Sequence, residues 1–188
     1  MSRIIFLLEE YSMKVLLEGL LPRLVPGLPF LCIPHEGKQD LEKSIPRKLR
    51  AWREPGVCFV IVRDNDGGDC RLLKTRLKEL CEQGERVDSL IRIACQELEA
   101  GYLGQPEALA VAYAKPTVAN LFRRAKYRNP DDVLKPSKKL VSLIPEFQKV
   151  SGARRMSGML TSENRSPSFQ AFITGVKLVA GKIKIGNR

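Results

Sequence analysis

The sequence predicts an open, mainly parallel α/β sheet followed by a mostly helical, basic C-terminal part. Three observations predict it. Four apolar, β-type segments alternate with three amphipathic helical segments over the first ninety or so residues. Each helical segment lies between two strands, as parallel neighbours require. Beyond residue 101 the strand pattern stops, prolines punctuate short helical stretches, and acids become scarce.

The run Arg3-Ile-Ile-Phe-Leu-Leu8 is apolar without alternation, which suits a central strand covered on both faces. Ser12 is the expected cap of a helix whose apolar positions Val15, Leu16, Leu20 and Leu24 recur at helical spacing until Pro26. Leu28 to Ile33 predicts a second strand. After the loop Pro34-His35-Glu36-Gly37-Lys38, Leu41, Ile45 and Leu49 mark a second helix. Gly56 to Arg63, rich in Val, Ile and Phe, predicts a third strand that stops at Asp64-Asn-Asp-Gly-Gly-Asp69. Leu72, Leu73, Leu77 and Leu80 trace a third helix, and Val87 to Ala94 predicts the fourth strand.

Downstream, Pro106 to Ala114, Pro116 to Lys126 and Pro136 to Val150 read as short helices broken by prolines. Ser166 to Leu178 reads as a last amphipathic helix with Phe169, Phe172, Ile173 and Val176 on its inner face. The expected organisation is an α/β core over 1–103, a helical basic extension over 104–180 packed on it, and a basic tail over 181–188.

With 188 residues, 44% hydrophobic and 28% charged, the composition excludes a largely disordered chain. The 32 Lys and Arg outnumber the 21 Asp and Glu, a formal net charge of +11. Residues 1–100 hold 16 basic and 16 acidic side chains, whereas 101–188 hold 16 and 5, so the whole excess lies in the second half. A basic half beside clustered acids suits phosphodiester chemistry, because a polyanion needs cations and metal-assisted cleavage needs carboxylates. No apolar run nears the roughly 20 residues of a membrane-spanning helix. Glu9 and Glu10 interrupt the N-terminal apolar run before it reaches signal-peptide length. These observations predict a cytoplasmic chain without a membrane partner. The five cysteines, at 32, 58, 70, 81 and 95, form no CxxC pair and read as reduced thiols.

In an open α/β sheet, ligands gather outside the carboxyl ends of the strands. Glu9 and Glu10 end the first strand; Asp64 and Asp66 end the third. A strand order 2-1-3-4 brings these acids together, and crowded carboxylates invite a hard divalent ion, Mg²⁺ or Mn²⁺. DNDGGD is also good turn and cap chemistry.

An acid closing the first strand and Asp-x-Asp closing a later one resembles the Toprim domain of topoisomerases, primases and OLD-type nucleases. Phe6-Leu-Leu-Glu-Glu-Tyr-Ser-Met-Lys14 is similar to the family's apolar strand and Glu-Gly-x-x-Asp element, with Glu9 on its acid. Asp64-Asn-Asp66 matches Asp-x-Asp. Gln96-Glu-Leu-Glu-Ala-Gly-Tyr-Leu103 and Ser166-Pro-Ser-Phe169 resemble small bacterial Toprim-like proteins often encoded beside an ATPase. Glu10 stands where the pattern has Gly, and Gly101 where the smaller group has Trp. The resemblance implies a metal-dependent nuclease subunit with Glu9, Asp64 and Asp66 as metal ligands, an ATPase partner and an anti-phage defence setting.

Glu97 and Glu99 follow the fourth strand; residues two apart on a short helix point to different sides, and Glu97 is the favoured extra ligand or general base. Lys38 is placed to stabilise a phosphate oxyanion. His35 lacks a Ser or Cys partner and reads as structural or substrate-contacting. Arg123, Arg124 and Lys126, then Lys138 and Lys139, then Arg154 and Arg155 are candidates to track a nucleic-acid backbone, with Tyr127 placed to stack on a base. No GxxxxGK[ST] element occurs, so nucleotide hydrolysis is not expected of this chain alone. Two other readings stand beside the nuclease: a non-catalytic docking or nucleic-acid-binding partner of an ATPase, and a phosphoacceptor receiver domain, which would want a hydroxyl where Ala94-Cys-Gln-Glu97 has none. Oligomeric state, homo-oligomer included, stays open.

Overall fold

The computed structural model describes residues 2–186, with side chains through Ile183. Four strands, β1 (Ile4–Leu8), β2 (Phe30–Pro34), β3 (Cys58–Asp64) and β4 (Leu90–Ala94), form one parallel sheet in the order β2-β1-β3-β4. The crossovers are helices α1 (Tyr11–Leu24), α2 (Lys38–Ala51) and α3 (Cys70–Gln83). β1 is flanked on both sides, and every one of its side chains is fully buried, which is why its sequence shows no alternation. Leu8 pairs with both Pro34 and Val62, and Asp64 with Ala94, so the carboxyl ends of the strands meet at one edge.

Local chemistry sets the helix starts. α1 begins at Tyr11, one residue before the expected Ser12 cap: Glu10, extended at φ −144°, is the residue before the helix, and the buried Ser12 hydroxyl donates to its carboxylate. An extended backbone needs no glycine, so the Gly-to-Glu departure at position 10 fits the turn. α3 is capped by Asp69, whose carboxylate accepts from the N–H groups of Arg71 and Leu72 at 2.7 and 3.1 Å. Leu72 itself faces solvent.

The second half contains α4 (Ala100–Leu103), α5 (Pro106–Ala112), α6 (Pro116–Phe122), α7 (Pro136–Leu143), α8 (Lys149–Ser157) and α9 (Pro167–Gly186). Pro106, Pro116, Pro136 and Pro167 each open a helix, where the missing N–H has no partner to lose. The single helix expected over Pro136 to Val150 is two, because Pro145 cannot continue α7. α9 runs to Gly186, so the stretch expected as a tail from 181 is helical to that point; residues 187–188 lie outside the described residues.

The two sheet faces bury different cores. Ile5 and Leu7 of β1 face α2 and α3 with Leu41, Ile45, Leu49 and Leu77. Ile4, Phe6 and Leu8 join the larger core, shared by α1 and the C-terminal helices through Leu20, Tyr102, Phe122, Met156, Phe172 and Val176. α1 and α8 approach closely at Gly19, where any side chain would collide with Ser157, and Arg23 Nη1 donates to the carbonyls of Ser157 (2.7 Å) and Leu160 (3.1 Å). Gly101 leaves space that Phe169 fills, with the ring 3.1 Å from where a Cβ would stand. The Ser166-Pro-Ser-Phe169 segment opens α9 around the buried Ser166 and Phe169: Asp131 accepts from the Ser166 hydroxyl and from Ser168 N–H (2.8 Å), and Ser166 Oγ accepts from Phe169 N–H (3.2 Å). No helix among the described residues is long and apolar enough to cross a membrane.

Candidate active site at the sheet edge

The strand order brings Glu9 to Asp64 across 55 residues: Glu9 Oε2 accepts the Asp64 N–H at 3.1 Å. Arg63 Nε lies 3.8 Å from the same oxygen, and the Arg63 guanidinium also pairs with Glu42 of α2. Asp66 occupies a left-handed turn (φ 50°), a conformation Asp tolerates better than most residues. It points toward α2, where Lys38, the first residue of that helix, stands 3.2 Å from its Oδ2. Burial, moderated by the Asp64 N–H and raised further by Asp66, lifts the Glu9 carboxyl above its ordinary value.

Asp64 turns to the other face. Its side chain is 4% exposed and Oδ1 has no hydrogen-bond partner. Burial, then the charges of Glu99, Glu9 and Glu10, push its carboxyl well above the usual carboxylate range, against the pull of Lys149. Glu99 is fully buried with both oxygens unpartnered, and burial raises it to about 7. Lys149, at the start of α8, bridges the two halves with its amine 3.2 Å from both carboxylate oxygens of Glu10. Burial opposes its charge, but Glu99 and Glu10 outweigh that and hold the amine above its ordinary value. The buried Tyr102 hydroxyl beside these acids is likewise unpartnered.

Glu97, the residue favoured from the sequence, instead accepts the Ser137 N–H at the start of α7 at 2.8 Å, and Glu99 is the one that faces Asp64. Lys149 escaped sequence reading altogether, because 139 residues separate it from Glu10. His35 is structural in its contacts: buried, with Nδ1 donating to the Leu8 carbonyl at 2.8 Å. Among the described residues no group of three or more His, Cys, Asp or Glu side chains is disposed to hold a metal ion as it stands. The acids converge, but protein cations answer them.

A family model described as a domain of unknown function, DUF4276, matches residues 8–177. The chain belongs to the DUF4276 family. This DUF4276 chain also has the fold of solved C-terminal regions of OLD proteins. The one from Burkholderia pseudomallei is 17% identical, with 97% of this chain and 98% of that one covered and a TM-score of 0.62. A structure from Xanthomonas campestris pv. campestris is 15% identical, covering 99% and 98%, with a TM-score of 0.62. A second from that organism is 16% identical, covering 100% and 98%, with a TM-score of 0.58. Comparison with curated proteins gives no match. The architecture is therefore Toprim-like, an α/β fold with a four-stranded parallel sheet.

The basic candidates of this DUF4276 chain are spread over α6 to α8. Arg123 is paired with Glu107 at 2.7 Å, and Arg155 lies over the Tyr113 ring and donates to the Ala112 carbonyl at 2.9 Å. Arg124, Lys126, Lys138 and Arg154 are exposed, and Lys139 is half-buried. Tyr127 is not placed to stack on a base: it is buried against Phe122, with ring centroids 4.9 Å apart, and Lys126 covers it. Lys138 and Lys149 line an open groove of about 280 Å³ with Ser137, Val141, Phe147 and Gln148.

Proposed function

We propose that the chain is a metal-dependent nuclease subunit that hydrolyses nucleic-acid phosphodiester bonds, working with an ATPase partner in bacterial anti-phage defence. The observation that supports the reading is that Glu9, just after β1, and Asp64 and Asp66, at and just past the end of β3, lie at the same carboxyl edge of a Toprim-like sheet, with Glu9 accepting the Asp64 N–H. The ATPase and the defence setting rest on the sequence resemblance.

The donors suit a hard divalent cation in kind. All are carboxylate oxygens, Asp64 Oδ1 is buried without a partner, and burial, with neighbouring acids adding to it, lifts Glu9 and Asp64, which a cation would relieve. Glu9, Asp64 and Asp66 would hold Mg²⁺ or Mn²⁺ once their side chains turn toward one another, away from the Arg63 and Lys38 contacts that Glu9 and Asp66 make here. When bound, such an ion supplies charge neutralisation at a phosphate oxygen and a more acidic water. The chain's own residues do the rest. Lys149 stays cationic beside the acids and is positioned to meet a phosphate oxygen. Lys38 offers a second cation on the opposite flank. The groove past Lys138 and Lys149 gives the backbone a positively charged approach. Glu99, close to neutral pH in its titration, holds a proton within the cluster.

A second reading is a non-catalytic docking or nucleic-acid-binding module, favoured by the pairing of Glu10, Glu9 and Asp66 with Lys149, Arg63 and Lys38. Incubating the purified chain with plasmid and with RNA in Mg²⁺ or Mn²⁺ separates the two. The nuclease reading expects cleavage that chelation abolishes and that falls roughly 100-fold or more in Asp64→Ala. Cleavage unchanged in that variant rejects it, and metal-independent binding without turnover, ATPase added, supports the docking module.

A further inference from the structure

Beyond the last paired residues of β3 and β4 the two chains keep running side by side: Asn65 N–H donates to the Ala94 carbonyl at 3.1 Å and Asp66 N–H to the Gln96 carbonyl at 3.0 Å. This sets Cys95 beside the Asp64-to-Asp69 turn. The turn then delivers Cys70 as the first residue of α3, and the two sulfurs come within 3.7 Å, although 25 residues separate them. Both side chains are partly accessible and both are free thiols. Asn65, the middle residue of the Asp-x-Asp element, ties the pair to the turn. Its Nδ2 donates to Cys70 Sγ (3.0 Å) and to the Gly68 carbonyl (2.8 Å), while its Oδ1 accepts from Gly67 N–H (3.2 Å) and from Gln96 N–H.

We propose that Cys70 and Cys95 form a reversible disulfide that clamps the Asp64–Asp69 turn. The oxidant is a peroxide. The Cys70 sulfur, at the end of the exposed turn, attacks the O–O bond, which breaks to leave a sulfenic acid on Cys70 and release one water. The Cys95 sulfur attacks that sulfenic sulfur, the S–O bond breaks, and a second water leaves with the Cys95 proton. Two thiols and one hydrogen peroxide become one disulfide and two waters, and a dithiol reductant restores the thiols. Closing the sulfurs from 3.7 Å to the roughly 2.05 Å of a disulfide joins the start of α3 covalently to the residue that follows β4.

The clamp is independent of whether the chain cleaves nucleic acid, and its test uses no activity. The full chain is treated with hydrogen peroxide, quenched and mapped by non-reducing peptide mass spectrometry, and amide exchange over residues 65–70 is followed before and after. The expected result is a Cys70–Cys95 link, two of the five thiols lost and regained with dithiothreitol, and severalfold slower exchange in the turn. Cys70→Ser and Cys95→Ala should each abolish the link and the slowing. Five thiols still titratable after treatment, oxidation to sulfinic acid without a link, or a link with unchanged exchange would each overturn the proposal.

Discussion

The candidate site has two flanks built from the same chemistry in different surroundings. On one, Asp66 and Lys38 pair at 3.2 Å with side chains 46% and 53% exposed. On the other, Asp64 and Glu99, 4% and 0% exposed, share Lys149 with Glu10. Water screens the first pair, which therefore adds little to stability and rearranges at little cost. The second group is removed from water, so each charge there depends on its neighbours, and losing one is costly. The difference teaches that the buried flank sets the protonation of the cluster, while the exposed flank contributes a screened, easily rearranged pair.

The sharpest way to break this contrast is pH. The folded chain holds a proton on Glu99 up to about 7, against an ordinary 4.5. The unfolded chain releases that proton at lower pH, so stability falls as pH rises from about 4.5 to 7, by up to roughly 3 kcal/mol through this group. Asp64 acts in the same direction. Thermal melts at pH 5 and pH 8 should show a marked drop for the natural chain and a smaller one for Glu99→Gln; equal drops would refute the assignment. Next in size, Lys149→Met leaves Glu10, Glu99 and Asp64 without their shared cation. Because Lys149 is itself 41% exposed, the loss should be about 2 kcal/mol, below that of a fully buried pair. Urea unfolding measures it, and adding Glu99→Gln should recover part of the loss. Smallest is Lys38→Met, expected to cost less than about 1 kcal/mol. A larger effect would show that the exposed flank is less screened than its geometry implies.

Most of the sheet was legible because strand and helix periods are local. The acids at the strand ends were legible as well, and the observed order β2-β1-β3-β4 is the one under which Glu9 approaches Asp64. The prolines at 106, 116 and 136 marked helix starts, since a ring that cannot donate is tolerated there. What escaped depends on long-range packing. The choice between Glu97 and Glu99 is made by how α7 packs against α4, with Ser137 N–H holding Glu97, which spacing does not encode. Lys149 begins a helix containing Ser151 and Gly152, residues with little helical signal. Tyr127 looked available because aromatic side chains near basic runs give no hint of which way they face.

The close crossing of α1 and α8 at Gly19 has a consequence for synthesis. The apolar side of residues 11–24 leaves the ribosome more than 120 residues ahead of the segment that covers it. Until translation passes Ser157, the nascent chain carries an oily stripe with no roof, so holding chaperones should engage it during that interval and release it once the later helices arrive.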